Sequence, residues 1–109
     1  MQTTPDTGGF MKKIAVFSTL ALAAMVSHGA DDALSAKYSQ SCAVCHAAGV
    51  AGAPLTGSAE QWAPRLEKGS EALVASVTNG LNAMPPMGMC NDCSAEDFQG
   101  LIDYMSTAK

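Results

Sequence analysis

Apolar positions along the chain fall into two patterns. Near the start, Ile14 to Val26 is an apolar run broken only by Ser18 and Thr19. Farther on, apolar side chains recur at intervals of three and four, the period of a helix with one buried face. Leu34 and Tyr38 begin this second pattern, so Asp32 to Ser41 is expected to be a short helix with Asp31 or Asp32 as its N-cap. Trp62 and Leu66, with Arg65 toward the same side, place a second helix over Ser58 to Lys68, stopped by Gly69. Leu73, Val74 and Val77 place a third over Ser70 to Asn79, with Ser70 as N-cap and Gly80 as its end. Phe98, Leu101, Ile102 and Met105 form the stripe of a last helix. Ser94 caps it, and Asp97 stands where an acidic side chain answers such a cap. Between these helices, Ala47 to Gly57 holds Gly49, Gly52, Pro54 and Gly57, and Leu81 to Cys93 holds Pro85, Pro86 and Gly88; both read as loop. No segment alternates with a period of two. The expected class is all-α, with four to five short helices.

The N-terminal run changes how much of the chain belongs to that fold. Met11-Lys12-Lys13 is a short positive start, the apolar run follows, and the small residues Ser27, Gly29 and Ala30 precede Asp31-Asp32. Positive start, apolar middle and small-residue exit is the order of a secretory signal, here with a cut near 29–30. The run is short for a membrane span, so no stable membrane insertion is expected. The organisation read from this is an upstream extension over 1–10, a signal peptide over 11–29 and one domain over 30–109. Of the 109 residues, ten are acidic and six basic, a net charge of -4. Nine of the acidic but four of the basic residues lie beyond residue 29. With no basic patch, no nucleic-acid partner is expected.

The chemistry centres on Cys42-Ala43-Val44-Cys45-His46. Cys-x-x-Cys-His is the signature of c-type haem attachment. Two thiols one helical turn apart can each add to a haem vinyl group, and the histidine that follows is held under the iron as one axial ligand. Cys42 and Cys45 are therefore the expected thioether positions of one covalent haem c, and His46 the expected nitrogen ligand. His46 is also the one histidine beyond the expected cut. A large apolar cofactor suits a domain of roughly 80 residues, which makes a marginal core unaided. The alternative is a four-cysteine zinc module, because Cys90-Asn91-Asp92-Cys93 repeats the spacing. The long gap between the pairs, and the lack of a histidine after the second, count against it. A thioether is a soft ligand that favours Fe(II). Met84, Met87 and Met89 are the candidates for the other axial position, and spacing does not separate them. Cys90 and Cys93 read as a disulfide in an oxidising compartment, with a catalytic dithiol as the alternative.

Taken together, CxxCH, Met84-Pro85-Pro86 and the trailing Cys90-x-x-Cys93 resemble bacterial class I cytochromes c, most closely the cytochrome c5 type. The resemblance runs from about Lys37 to the C-terminus and includes Gly52-Ala53-Pro54, Trp62-Ala63-Pro64-Arg65 and Gly80-Leu81-Asn82-Ala83. It implies the class I cytochrome c fold around one haem. It also implies Met84 as the sulfur ligand, with Met87 as the alternative, and the Pro54 carbonyl as acceptor of the His46 ring N–H. It further implies an aromatic contact between Tyr38 and Tyr104 and a Cys90–Cys93 disulfide. The chain departs from the family at Met87 and Met89, where polar or small residues are expected; an apolar patch near the haem edge would follow. Trp62 and Arg65 are candidates for contacts to the haem propionates.

With both axial positions filled, the expected function is one-electron transport by a soluble periplasmic carrier, not catalysis. The expected donors are membrane quinol-oxidising complexes or multihaem cytochromes, and the expected acceptors oxidases, peroxidases or reductases. An acidic monomer would dock on them transiently, and weak self-association through the haem edge is compatible with this. A labile methionine would instead make the protein a sensor or a peroxidase.

Overall fold

The computed structural model describes residues 28–109; the extension and most of the expected signal peptide lie outside the described residues. Five helices follow one another: α1 (His28–Lys37), α2 (Ala43–His46), α3 (Ala59–Leu66), α4 (Ser70–Asn79) and α5 (Ala95–Thr107). Among the described residues there is no strand, and backbone pairing of the sheet kind is confined to one bridge between Leu81 and Met84. The all-α expectation holds.

The first helix extends beyond both of its expected ends: it begins at His28, so Asp31 and Asp32 lie inside it and neither is its N-cap. Lys37, Cys42 and Ala43 all keep right-handed helical angles, so α1 runs into α2 without a break through one π-helical turn over Tyr38–Cys42. Such a turn inserts an extra residue into the helical register. Ser39 and Ser41 donate their hydroxyls to the Ser35 and Lys37 carbonyls at 2.9 and 2.6 Å, a pattern that bends helices. Leu34, Tyr38 and Cys42, each four residues from the next, turn to the core as one stripe.

The remaining helices match their expected spans closely. Ser58 caps α3, its hydroxyl accepting from the Gln61 N–H at 3.4 Å. Trp62 is buried there, but Leu66 is 43% exposed, which corrects its expected inward position. Gly69, not Ser70, caps α4: Gly69 has φ 86° and ψ 158°, a conformation open to glycine, and Ser70 is already helical. Helix α5 carries the full capping box. The Ser94 hydroxyl accepts from the Asp97 N–H at 3.1 Å, and the Asp97 carboxylate accepts from the Ser94 N–H at 2.9 Å.

The core is organised on α5. Phe98 and Leu101 pack with Cys90 and Cys93, and Ile102 and Met105 pack with Trp62. Each large side chain so buried stabilises the fold by roughly 1.5–3 kcal/mol. Helix α1 is fastened across α5 by Lys37, whose ammonium donates to the Asp97 carboxylate at 2.6 Å. The Tyr38 and Tyr104 rings meet with centroids 4.9 Å apart, at the two positions named for that contact.

Candidate functional site

The joined α1–α2 helix delivers Cys42, Cys45 and His46 to one wall of a cavity of about 740 Å³, part of which is open to solvent. The Val50–Pro54 loop and Arg65 line its side, and the Leu81–Pro85 loop with Gly88 and Met89 lines the wall that includes Met84. His46 is buried, and its Nδ1 lies 2.8 Å from the Pro54 carbonyl oxygen. A carbonyl can only accept, so this contact puts the ring proton on Nδ1 and leaves the Nε2 lone pair unused. The His46 carbonyl in turn accepts from the Thr56 N–H at 2.8 Å, and Thr56 Oγ1 accepts from the Tyr38 hydroxyl at 2.9 Å. The histidine is thus held from both its ring and its backbone.

The Cys42 and Cys45 thiols are free and partly buried. Burial pushes the Cys42 thiol up, and the Ser41 hydroxyl beside it works the other way. The donor set at the cavity is therefore two thiols one turn apart, one imidazole nitrogen and two thioethers, the partly buried one of Met84 and the half-exposed one of Met89. It fits a covalently attached haem held by nitrogen and sulfur.

The place of Trp62 is set by two contacts. Its indole N–H donates to the Leu55 carbonyl at 3.0 Å, so it is not available to a propionate. Its ring lies against His46, with centroids 5.9 Å apart and planes inclined by 22°. Trp62 backs the histidine. Its position in the stripe was legible in the sequence; its partner, a backbone carbonyl in a loop, leaves no signature there. Arg65 does line the cavity, with one guanidinium nitrogen donating to the Gln61 carbonyl.

The three methionines separate. Met84 lines the cavity partly buried, and its backbone is fixed by two reciprocal bonds to Leu81, at 3.0 and 2.9 Å. Met87 packs against the Cys90, Cys93, Phe98 and Leu101 cluster. Met89 reaches the cavity mouth and is 52% exposed. Cys90 and Cys93 are buried with Cα atoms 5.4 Å apart, inside the range a disulfide spans. The four cysteines do not converge. Among the described residues, the group of three or more ligand side chains close enough for a metal is Cys90, Asp92 and Cys93, which removes the four-cysteine zinc reading.

Comparison with known proteins agrees with the donor set. Residues 29–105 match the family described as cytochrome c oxidase, cbb3-type, subunit III. Cytochrome c5 of Ectopseudomonas mendocina is 40% identical over 82 residues, covering 73% of this chain and 90% of that protein. Cytochrome c5 of Azotobacter vinelandii is 40% identical over 77 residues, covering 69% and 89%. The chain belongs to the class I monohaem c-type cytochromes. A mono-haem ferrocytochrome c from Shewanella putrefaciens superposes with a TM-score of 0.62 at 54% identity, covering 70% of this chain and 94% of that one. A cytochrome c solved in an electron-transfer complex with nitrite reductase also gives 0.62, at 40% identity, covering 68% and 90%. As a member of this family the chain carries one covalent haem c, and it is a small electron-carrier cytochrome, not an enzyme. Bound haem supplies a metal that cycles between Fe(III) and Fe(II), one electron at a time. Among the described residues no helix is long and apolar enough to cross a membrane.

Proposed function

We propose that this cytochrome is an exported periplasmic carrier whose haem is bonded through Cys42 and Cys45 and held between His46 and Met84. The observation that carries this reading is the pairing of roles across the cavity. The Pro54 carbonyl occupies Nδ1 of His46 and leaves Nε2 for the metal, while Met84 lines the cavity and Met87 is taken up in the core. With protein ligands on both axial sides, no coordination position is left for a substrate, and the remaining chemistry is single-electron exchange. Arg65, at the cavity wall, is the residue proposed to meet a propionate. Residues 11–29 are proposed as the signal peptide and 30–109 as the mature domain. Export is what makes a Cys90–Cys93 disulfide stable, and the pair would close the turn between the methionine loop and α5.

Electrons enter and leave at the cavity mouth. Val50, Leu81 and Met89 are each about half exposed there, giving an apolar rim for short-lived docking. The acidic surface outside the rim steers the carrier toward basic patches on its partners. Nitrite reductase, the partner of the solved relative, makes a terminal reductase the leading class of acceptor. Membrane quinol-oxidising complexes or multihaem cytochromes are the proposed donors.

Two variants test the ligand assignment. Met84→Ala should abolish the weak far-red sulfur–iron band of the ferric protein and lower the potential, while Met87→Ala should leave both nearly intact. The reverse pattern would move the ligand to Met87.

A further inference from the structure

Of the residues from Asn82 to Met89, Gly88 is the buried one, and it lies directly against Met84. Its φ is 55°, and its N–H donates to the Pro85 carbonyl at 3.0 Å. A Cβ built on Gly88 would stand 3.0 Å from the Met84 terminal methyl Cε and 3.8 Å from Val77 Cγ1. That methyl would have to give way by a few tenths of an ångström to admit any side chain. We propose that Gly88 is a positioning residue: its bare backbone is the seat of the Met84 methyl and decides which sulfur lone pair faces the cavity. The proposal rests on Met84 being the sulfur ligand.

The physical reason lies in the geometry of a thioether. Its sulfur carries two carbons and two lone pairs. Were one lone pair shared with a metal, the two lone pairs would no longer be interchangeable and the sulfur would be held in one of two pyramidal configurations. In a free methionine the terminal methyl can swing away from a new neighbour at little cost. In a coordinated one, moving the methyl would strain the torsions that bring the sulfur to the metal, and a large enough move would invert the sulfur or release it. At the other end of the side chain, the backbone of Met84 is held by its two bonds to Leu81. A side chain at 88 therefore acts on the coordination bond while leaving the rest of the loop in place.

Glycine could also be needed at 88 only for its positive φ, and a second glycine separates the two demands. Gly69 has φ 86°, and a Cβ there meets nothing within 4 Å. Gly69→Ala thus imposes backbone strain without reaching Met84.

The experiment is proton NMR of the ferrous holoprotein, with carbon monoxide binding as a second readout. The wild type should show a strongly ring-shifted methyl resonance from the bound methionine, with nuclear Overhauser contacts to Gly88 Hα and a Val77 methyl. Gly88→Ala should shift that resonance or lose it with onset of carbon monoxide binding at neutral pH. Gly69→Ala should lower the thermal midpoint with the resonance unmoved. An unmoved resonance and no carbon monoxide binding in Gly88→Ala would overturn the proposal. So would a wild-type methyl resonance lacking contact to Gly88, which decides the matter even where Gly88→Ala yields no holoprotein. If the wild type has no ring-shifted methyl at all, the sulfur ligation itself fails and the seat falls with it.

Discussion

Within six residues the chain carries Met84, Met87, Met89 and the glycine between the last two, and these four neighbours do four different things. Met84 lines the cavity, Met87 enters the core, Met89 stays half exposed and Gly88 packs under Met84. Met87, Gly88 and Met89 all have positive φ, at 64, 55 and 66°. For the two methionines this is an uncommon conformation, maintained by surrounding contacts. Met87→Ala removes a partly buried core contact and should cost about 1–2 kcal/mol, below the range for a fully buried methionine; chemical denaturation of the oxidised protein checks this. Trp62→Phe keeps an aromatic ring beside His46 but removes one of the two donors to the partly buried Leu55 carbonyl, which keeps the Ser58 N–H, and should lower stability by about 1 kcal/mol with haem retained. Residue types and spacing singled out Cys42, Cys45 and His46 as candidates, because haem attachment demands such residues in that order. They did not divide the methionines. That division depends on which way three left-handed residues turn the chain, and local periodicity is silent about it. Only the resemblance to cytochromes c5 pointed to Met84.

At the level of elements, α5 was the most legible, since its apolar stripe and its Ser94–Asp97 cap both have local signatures. The π-helical turn over Tyr38–Cys42 was not, because an inserted residue shifts the register without changing which residue types are apolar. The bond from Lys37 to Asp97 joins residues far apart in sequence, and nothing local announces it. Asp97 serves both the cap and that bond. The Lys37 ammonium, then the Ser94 N–H, hold its carboxyl below the ordinary carboxylate range. Its folded value is below its unfolded one, so its stabilisation is full above the unfolded pKa and is lost as pH falls through the folded value. Asp97→Asn should accordingly melt below the wild type at neutral pH, and the gap should narrow as pH is taken below about 3.9, the unperturbed aspartate value. A constant gap across that window in thermal melts would show that the charge is not involved. The turn before α5 gives a second test. Replacing Cys90 and Cys93 together by alanine should keep the haem and lower stability by about 2 kcal/mol, the loss expected for a very small closed loop. Failure to incorporate haem would give the pair a role beyond bracing the turn.

For the molecule as a whole, the helices form a scaffold around a cavity whose donor atoms come from the α1–α2 helix and from the Leu81–Met89 loop. Its apolar rim and its acidic remainder divide the surface between docking and steering. Electron transfer to a partner with a basic docking face should therefore slow as ionic strength rises, since screening shortens the reach of the carrier's charge. Stopped-flow rates across a salt series check this, and a flat profile would leave docking to the apolar rim alone. The central claim is that both axial positions are closed by the protein. It is tested most directly by exposing the ferrous holoprotein to carbon monoxide at neutral pH and recording the Soret spectrum. Closed coordination by His46 and Met84 predicts no shift of the band over the time of the measurement. A prompt shift would contradict it, and would show a coordination position open to small ligands.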